Sequence, residues 1–423
     1  MADRHFALVR NTCALAVLAV STFVATADDW PNFLGPNHDS TSAETGLARS
    51  WPEGGPPVRW TAKLGSGFGG AAVVGEKVFV FDRILNQADV LRCFNLETGK
   101  EVWQYKYETG PDRKYGGSHS VPTVTNDSVY TLGPHGDLLC ISRKTHQPIW
   151  RRNLVEEYGA RQPGWLIGQS PLLIGGKIVV IPTSAKAGVL ALDAKTGEQA
   201  WAWTGSAGKV AYCSPVSAKI GGVEQVLALI GRNTLVSLAP ADGKELWRHT
   251  EWSCSIPIPS PKVFPDGRVF LTGGYGAGSA MIQVTKQGDT FSSKTLYKTD
   301  VCGSQIHQPL LHGEFLYLGS NGNKRKDGFA CIDLEGNLKW KSGRKQSFER
   351  GDLLLAGGLI FAVNGNGGEL ALIEPSPEGL KIVSRVKVLQ GRQIWAPMAL
   401  GSGRLLIRDQ KQLKCIDVRQ GAK

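Results

Sequence analysis

The stretch ALDAKTGEQAW, from Ala191 to Trp201, recurs along the chain with its length and both of its ends kept. Each copy begins with a small residue and ends with tryptophan. The other copies are CFNLETGKEVW (Cys93 to Trp103), CISRKTHQPIW (Cys140 to Trp150), SLAPADGKELW (Ser237 to Trp247) and the one-residue-shorter CIDLEGNLKW (Cys331 to Trp340). Recurrence at roughly 45 to 50 residues is typical of repeat proteins. The sequence therefore consists mainly of one repeated structural unit.

A second recurring element is a short apolar run that follows a Gly or Asp turn. Its eight copies are rich in β-branched and aromatic residues, the composition of a β-strand. The copies are GEKVFVF, NDSVYTL, GGKIVVI, GVEQVLAL, DGRVFLT, GEFLYLG, GGLIFAV and SGRLLIR. A third element that ends in proline precedes most of them, as in SHSVP, IGQSP and QIHQP. Each unit is thus expected to hold about four short strands and no helix.

Four short antiparallel strands in a unit of this length are the pattern of a β-propeller blade. Eight units predict an all-β protein with eight four-stranded antiparallel blades over residues 58–423. The last unit stops at CIDVRQGAK, whereas PPVRWTAKL near the start supplies an outer strand with no unit before it. We expect Val58 to Trp60 to complete the C-terminal blade and close the ring, leaving no exposed sheet edge there.

The tryptophan that ends each copy is predicted to have a structural role. In the Ala191–Trp201 copy, DAKTG forms a turn in which Gly197 tolerates a positive φ, and EQAW begins the outer strand. A tryptophan repeated once per blade can bury its ring against the neighbouring blade, and the small first residue leaves room for it. The tryptophans assigned to this role are Trp60, Trp103, Trp150, Trp201, Trp247 and Trp340.

The pattern A-x-D-x-x-T-G-x-x-x-W resembles the tryptophan-docking motif of the quinoprotein alcohol dehydrogenase-like superfamily and its PQQ-like (pyrrolo-quinoline quinone-like) repeat relatives. In that family the tryptophan stacks on the adjacent blade, over the glycine and the small first residue. The units around Tyr297 and Val383 depart from the pattern. The opening WPNFLGPNHDSTSAETGL, from Trp30 to Leu47, is similar to the start of secreted PQQ-binding-like propeller proteins.

The resemblance to enzymes of that superfamily implies a cofactor, a metal ion and a catalytic base, for which this sequence can be searched. They hold a planar quinone over the channel, a Ca²⁺ bound by oxygen ligands and a carboxylate base, and many place two adjacent cysteines against the cofactor. This sequence has no Cys-Cys pair, and no Glu, Asn and Asp set for Ca²⁺ stands out. We therefore expect no catalytic residue, no metal site and no cofactor, with PQQ and Ca²⁺ as the alternative.

Residues 1–27 are predicted to be a signal peptide. Two arginines precede the apolar run CALAVLAVSTFV, which is too short to span a bilayer, and ATA ending at Ala27 is an A-x-A cleavage site. No lipid-attachment cysteine follows, since Cys13 lies inside the run. We expect a soluble periplasmic or secreted protein with no transmembrane segment after cleavage, in which residues 28–57 form an N-terminal extended segment.

The net charge restricts the expected partners only weakly. Cleavage removes two basic residues and one acidic residue, so the net charge falls from +11 to +10. A basic surface suits anionic partners. The basic residues are scattered over loops such as RKTHQPIWRR and SGRKQSFER, however, which favours a role in solubility. We expect a monomer that binds a cell-envelope protein or polysaccharide, and no nucleic acid.

The cysteines follow the repeat and not a disulfide framework. Four of them occupy the small first position of the repeat, and equivalent positions in different blades are too far apart to bond. These four are predicted to be free and buried, while the other three are left undecided. The first group is Cys93, Cys140, Cys331 and Cys415, and the second is Cys213, Cys254 and Cys302.

The candidate binding residues stand two positions before the recurring proline, with one histidine a position earlier. If the proline-containing strand is the innermost of each blade, these side chains form a ring at one mouth of the channel. They are His119, Ser120, Gln169, Cys213, His307 and Trp395. Two histidines near one ring suggest a metal, but no third ligand stands at a recognisable spacing. The alternative is that they are hydrogen-bonded channel residues.

Two glycine-rich runs, GSGFGG (Gly65 to Gly70) and GGYGAGSA (Gly273 to Ala280), invite comparison with phosphate-binding loops. Such a loop needs a helix N-terminus behind it to supply aligned N–H groups. Because strands follow both runs, we predict that they are propeller turns.

These observations predict a non-catalytic exported propeller that acts as a binding or scaffold module in the cell envelope. At fold level it resembles the propeller lipoprotein of the outer-membrane β-barrel assembly machinery. A PQQ-dependent alcohol or sugar dehydrogenase with an atypical site is the alternative. A carbohydrate-binding or hydrolytic propeller is a third hypothesis, for which paired carboxylates are expected. Carboxylates at the mouth favour the enzymes, whereas a neutral, aromatic or basic mouth favours binding.

Overall fold

The recurring stretch forms the hairpin between the third and fourth strands of a blade. Its first and last residues, Ala191 and Trp201, lie directly opposite each other, and a bulge follows Ala191. The Asp193 carboxylate accepts hydrogen bonds from two backbone N–H groups of the turn, and Gly197 has a φ of 71°. Opposite residues share one face of the sheet, so a small residue makes room for the indole ring.

The same cross-strand pair recurs around the ring. Small residues again face tryptophan in the pairs Cys93 with Trp103, Cys140 with Trp150, Ser237 with Trp247, Cys331 with Trp340, and Cys415 with Trp60. Met281 and Tyr297 take these positions in one of the two units that depart from the pattern.

The computed structural model describes residues 29–206, 212–321 and 327–422, so the predicted signal peptide lies outside the described residues. In these ranges the chain forms eight blades of four antiparallel strands arranged in a ring. This confirms the predicted fold class. Arg344–Gln346 forms a short 3-10 helix between the sixth and seventh blades.

The first strand, β1 (Thr41–Ser42), precedes the ring, and β2 (Val58–Lys63) belongs to the last blade. Blade 1 consists of β3 (Ala71–Val74), β4 (Lys77–Ile84), β5 (Ala88–Asn95) and β6 (Glu101–Glu108), and blade 2 consists of β7 (Thr123–Val124), β8 (Ser128–Leu132), β9 (Asp137–Ser142) and β10 (Pro148–Asn153). Blade 3 consists of β11 (Leu172–Ile174), β12 (Lys177–Val180), β13 (Val189–Asp193) and β14 (Gln199–Trp203), and blade 4 consists of β15 (Val216–Ile220), β16 (Val223–Ile230), β17 (Thr234–Leu238) and β18 (Glu245–His249).

Blades 5 to 8 complete the ring. Blade 5 consists of β19 (Lys262–Val263), β20 (Arg268–Gly273), β21 (Gly278–Gln287) and β22 (Thr290–Thr299), and blade 6 consists of β23 (Leu310–His312), β24 (Phe315–Ser320), β25 (Gly328–Asp333) and β26 (Leu338–Lys341). Blade 7 consists of β27 (Leu353–Ala356), β28 (Leu359–Val363), β29 (Glu369–Glu374) and β30 (Lys381–Lys387), and blade 8 consists of β31 (Ala399–Gly401), β32 (Arg404–Arg408) and β33 (Gln412–Asp417) together with β2.

The ring closes through β2, which pairs with β33 as the outer strand of blade 8. Trp60 lies opposite Cys415, as the sequence predicted. The buried Arg404 guanidinium next to the closure lies 3.0 Å from the buried Asp417 carboxylate of its own blade and 2.8 Å from the half-exposed Glu97 carboxylate of blade 1. The two ends of the propeller are thus joined by strand pairing and by charge.

The hydrophobic core lies between neighbouring blades. In β4, Val78 and Val80 pack into the cluster shared with blade 8, whereas Phe79 and Phe81 pack into the cluster shared with blade 2. Alternate residues of a strand point to opposite faces. An inner strand buried on both faces therefore needs a continuous apolar run, which explains the composition of the second repeat element.

The tryptophan rings meet the turns of the next blade. A Cβ placed on Gly99 or Gly243 would lie 2.5 Å from the ring of Trp60 or Trp201, respectively. The indole N–H groups of these tryptophans donate to backbone carbonyls of that same turn, at 2.7 and 3.0 Å. Trp150 makes the same pair of contacts with blade 3. Only glycine leaves space for the ring at these positions.

Three other junctions vary this contact. Trp103 stacks on the His146 ring at 4.7 Å, because histidine stands in the place of the turn glycine with a φ of 60°. The Trp247 N–H instead donates to Gln225 in its own blade. Tyr297 packs against Gly336 of blade 6, so tyrosine takes the place of tryptophan there.

Residues 29–47 run across the inner strands of the ring. Trp30 forms a backbone bridge with Val73 of blade 1, and the Pro31 carbonyl accepts a hydrogen bond from blade 2. Leu34 packs in the cluster of blade 4, and the Lys262 ammonium of blade 5 donates to the Asp39 carbonyl. β1 then pairs with β27 as a parallel fifth strand of blade 7. The N-terminal segment thus occupies the channel side of the blades.

The seven cysteines of the described residues are all free and buried. This confirms the prediction for the four repeat cysteines and decides the three that the sequence left open. Loss of solvent raises the pKa of the Cys93 and Cys415 thiols to about 12 and that of the Cys302 and Cys331 thiols to about 11. They therefore remain protonated and unreactive near neutral pH.

Candidate functional site

A cavity of about 380 Å³ lies at one mouth of the channel. It is bordered by the loops that connect the outer strand of one blade to the inner strand of the next, and by the turn between β20 and β21. Aromatic rings form a large part of its wall. The aromatic side chains that come from the propeller are Phe68, Tyr115, Trp165, Tyr212, Tyr275 and Trp395.

The aromatic rings support one another. Phe68 is stacked between His119 and Trp395, with ring centroids 5.2 and 5.3 Å apart. Tyr115 meets Trp395 at 5.5 Å and Trp165 edge-on at 5.4 Å. Contacts at these distances have the geometry of favourable aromatic pairs. The wall is therefore a continuous ring cluster that spans several blades.

The charge of the described lining is positive. It includes Lys114 and Arg350 and no aspartate or glutamate. The Lys114 ammonium and the Arg350 guanidinium each lie 5.3 Å from an aromatic centroid, that of Tyr115 and that of Trp395 respectively, a cation–π arrangement. Cations in a concave site raise its potential, so the mouth favours anions.

A polar network fixes one side of the wall. Arg350 Nε donates to Gln305 Oε1 at 2.6 Å, and the Gln305 amide donates to the Tyr275 hydroxyl at 2.8 Å. Burial raises the pKa of Tyr275, which keeps its phenolic proton. Because Gln305 is buried, these two hydrogen bonds hold the Arg350 side chain in a defined position at the edge of the cavity.

The two histidines of the lining have different surroundings. His119 Nε2 donates to the Tyr115 carbonyl at 3.1 Å, yet desolvation lowers the pKa of His119 to about 4, so its ring is neutral near pH 7. His307 Nδ1 lies 2.9 Å from the Asp352 carboxylate, and its Nε2 lies 3.1 Å from the Arg350 carbonyl oxygen. These contacts hold each ring in place at the wall.

The structure divides the six candidates from the sequence into two groups. His119, His307 and Trp395 line the cavity. Ser120, Gln169 and Cys213 are buried away from it. The Gln169 amide bonds both the N–H and the carbonyl of Ile181, the Cys213 thiol faces the Pro259 carbonyl, and the Ser120 hydroxyl faces the carbonyl of the next residue.

The difference between the groups arises from local backbone direction. In blades 3 and 4 the residue just before the proline lines the cavity instead, as Ser170 and Ser214 do. Neighbouring side chains of an extended segment point in opposite directions. A single position counted from the proline therefore does not give the same orientation in every blade.

Sequence reasoning missed most of the aromatic wall. Phe68 and Tyr275 lie in the two glycine-rich runs; the second run contains the predicted turn, between β20 and β21, whereas the first is the loop between β2 and β3 with two isolated bridges. Tyr115 and Trp165 come from the long loops that follow β6 and β10. One signal was available: these are aromatic residues in loops, outside the repeated strands, where the repeat does not explain them.

The N-terminal segment contributes to two cavities. Phe33 lines the mouth cavity, whereas residues 37–39 line a separate cavity formed with residues 216–219, 221–222 and 261–265. The segment that crosses the inner strands of the ring thus supplies part of the wall of the mouth pocket.

The superfamily implies PQQ and Ca²⁺, so the pocket must be compared with their requirements. Ca²⁺ takes 6–8 oxygen ligands, commonly carboxylates. The described lining offers no carboxylate, and no group of three or more His, Cys, Asp or Glu residues that could hold a metal occurs in the described part of the chain. The aromatic wall suits a flat ring, but the described donors do not fit the calcium ion.

Fold and site together define an eight-bladed β-propeller of PQQ-like repeats with an aromatic, basic pocket at one mouth. The sequence profile of the family described as "Outer membrane protein assembly factor BamB" matches residues 86–342. The chain belongs to this family. No curated protein is similar enough in sequence to match it.

Solved structures share the fold at low sequence identity. A europium-containing methanol dehydrogenase has a TM-score of 0.65 at 12% identity, covering 90% of both chains. BamB from Moraxella catarrhalis has a TM-score of 0.62 at 14% identity, covering 87% of this chain and 99% of that one. Quinohemoprotein alcohol dehydrogenase from Comamonas testosteroni has a TM-score of 0.65 at 13% identity, covering 94% and 82%. The fold is thus shared by two dehydrogenases and by a BamB protein.

Among the described residues, no helix is long and apolar enough to cross a membrane.

Proposed function

We propose that the protein is an exported, non-catalytic binding module of the cell envelope and that the mouth pocket is its recognition site. One observation carries this proposal: the pocket combines an aromatic wall with two cations, and its described lining has no carboxylate. Aromatic and cationic side chains are those that contribute most to recognition. Proton abstraction from an alcohol, in contrast, needs a base positioned at the substrate. The two nitrogens of His307 are held by the Asp352 carboxylate and the Arg350 carbonyl, and His119 donates to the Tyr115 carbonyl while its Nδ1 is buried, so neither histidine presents a nitrogen to a substrate.

The family of the chain also favours a binding role. Its description is that of an assembly factor, and a structure titled BamB shares the fold. Fold alone does not assign function, because the same architecture also carries alcohol oxidation in the quinoprotein enzymes. The proposal includes export by residues 1–27 and a monomeric state, with a cell-envelope protein or polysaccharide as the partner.

The test measures binding and turnover on one sample of the mature protein. Trp165 and Trp395 lie in the pocket wall, so a ligand that enters should change the intrinsic fluorescence. A panel of oligosaccharides, peptides and small organic anions is titrated, first with the wild type and then with Trp395→Ala. In parallel, PQQ and Ca²⁺ are added and dye-linked oxidation of alcohols and glucose is followed.

The proposal expects saturable binding by at least one probe, weakened by Trp395→Ala, with no oxidation of alcohol or glucose. PQQ-dependent turnover would instead establish the dehydrogenase alternative. Failure of every probe to bind at the mouth would remove the pocket from the function.

A further inference from the structure

We infer that the mouth pocket binds the terminal unit of an acidic oligosaccharide, a sugar ring that carries a carboxylate. This inference rests on the proposed function, because it requires the mouth to be a binding site. It adds the chemical class of the ligand and the part of the ligand that enters.

The size and shape of the pocket favour a chain end. Its volume of about 380 Å³ lies near the lower limit of ligand pockets, which range over roughly 300–1,000 Å³. A stable contact with a folded protein usually covers about 800 Å² on each partner, far more than the inside of this pocket offers. Phe33 of the segment that crosses the inner strands also lines the pocket, so we take the end of a polymer, and not its middle, as the part that enters.

The wall favours a ring with an apolar face. The ring cluster continues from Trp395 through Tyr115 and Trp165 to Tyr212, whose ring lies 5.3 Å from that of Trp165. The C–H face of a sugar ring is flat and apolar, so it can pack against such rings while its hydroxyls face polar groups. An acyclic acidic side chain would leave much of this wall exposed to water.

The polar groups of the lining match the remaining parts of a sugar acid. Lys114 and Arg350 supply the positive charge for a carboxylate, and Arg350 is positioned by Gln305. Ser170 and Ser214 are mostly buried in the lining, and their hydroxyl oxygens accept hydrogen bonds from the N–H groups of Val121 and Ser170, so each keeps its hydroxyl hydrogen to donate to a ring hydroxyl. An aromatic carboxylate shares the flat ring and the charge but offers no hydroxyls to these serines.

The experiment is calorimetric titration of the mature protein with four probes at low and at high salt. Trigalacturonic acid carries a carboxylate on every sugar ring. Maltotriose is its neutral counterpart, benzoate is a flat anion without hydroxyls, and hexaglutamate is an acidic peptide without rings. We expect one-to-one binding of trigalacturonic acid, at least about tenfold tighter than that of the other three probes, with added salt weakening it.

Variants locate the binding to the pocket. Lys114→Gln and Arg350→Gln each remove one charge from the lining, and each is expected to weaken trigalacturonate binding by about tenfold. Arg392→Gln is the matched control, because Arg392 is exposed and lies outside the lining. It should change the affinity less than about twofold. Thermal melts show whether Arg350→Gln folds, and the exposed Lys114 variant provides the same test if it does not.

Two kinds of failure can be told apart. If trigalacturonic acid does not bind, or binds with equal loss in the control variant, the inference is wrong. If benzoate, maltotriose or hexaglutamate binds more tightly and that binding depends on Trp395, the ligand class is wrong while the mouth remains the recognition site. If no probe of the wider panel responds to Trp395→Ala, the proposed function itself fails.

Discussion

The blade junctions and the mouth of the channel are built on opposite principles. At the junctions one contact is repeated: the indole of Trp60, Trp150 or Trp201 covers a turn glycine of the next blade and donates to a carbonyl there. At the mouth the aromatic side chains do not follow the repeat, and different blades contribute different ones, such as Phe68 and Tyr275. Repetition maintains the ring, whereas variation between the loops creates a site.

The two regions should also respond differently to substitution. Trp201 is 6% exposed and seals a junction, so its loss acts on stability. Trp395 is partly exposed to the pocket, so its loss acts on binding. Measurements of unfolding and of ligand affinity on the same variants separate these roles.

The largest effect on stability is expected for Trp201→Ala. Removing this ring leaves a cavity over Gly243 and frees the Pro240 carbonyl, at a cost of about 3–5 kcal/mol in the free energy of unfolding. Urea denaturation measures the loss. Ile149→Ala, on an outer strand and 52% exposed, is the control and should cost less than about 0.5 kcal/mol. Similar values for the two variants would refute the structural role of the junction tryptophan.

The next largest loss of stability is expected at Gly243, the turn glycine beneath the Trp201 ring. Gly243→Ala should cost about 2–3 kcal/mol, because the added Cβ meets the Trp201 ring at 2.5 Å and the φ of 73° disfavours alanine. Gly222→Ala is the matched control, with a φ of 78° and open space around it. It should cost about 1 kcal/mol. Equal losses in denaturant melts would mean that the ring contact adds nothing.

Acid should destabilise the mouth by a smaller amount. The pKa of His119 is lowered from 6.5 to about 4 by desolvation, against the favourable hydrogen bond to Tyr115 and the attraction of Asp112. The unfolded state therefore binds more protons between pH 6.5 and 4, and stability falls as the pH is lowered through this window. We expect His119 to account for about 2 kcal/mol of that loss.

His119→Gln tests this assignment, because glutamine does not titrate. Its unfolding free energy should depend less on pH between 6.5 and 4 than that of the wild type. His38 keeps some dependence in the variant, since desolvation also lowers the pKa of His38 to about 4. An unchanged pH profile in His119→Gln would exclude His119 as the source.

The smallest effect on stability is expected for Trp395→Ala. The ring stacks on Phe68 at 5.3 Å and borders open space, so its removal should cost about 1 kcal/mol. Ligand binding at the mouth should nevertheless be strongly weakened. A loss of stability as large as that of Trp201→Ala, with affinity unchanged, would reverse the roles given to the two regions.

The residues that could be predicted from the sequence follow the same division. Residues that act within the repeat could be predicted, because the pairing of Cys415 with Trp60 and the turn at Gly197 depend on neighbours within one hairpin or on the count of units. Residues that act between loops could not be predicted in the same way. Gln169 was expected at the mouth, yet its amide binds the Ile181 backbone inside its blade.

The repeated local pattern was sufficient to predict eight blades, the closing strand and the four free cysteines of the repeat, because strand alternation and turn chemistry act over a few residues. The pocket depends on where long loops from different blades meet and on Phe33 of the N-terminal segment, which adds to its lining. These contacts join residues far apart in the chain, such as Phe68 and Trp395. Only packing in three dimensions brings such side chains together, so no pattern along the chain records their arrangement.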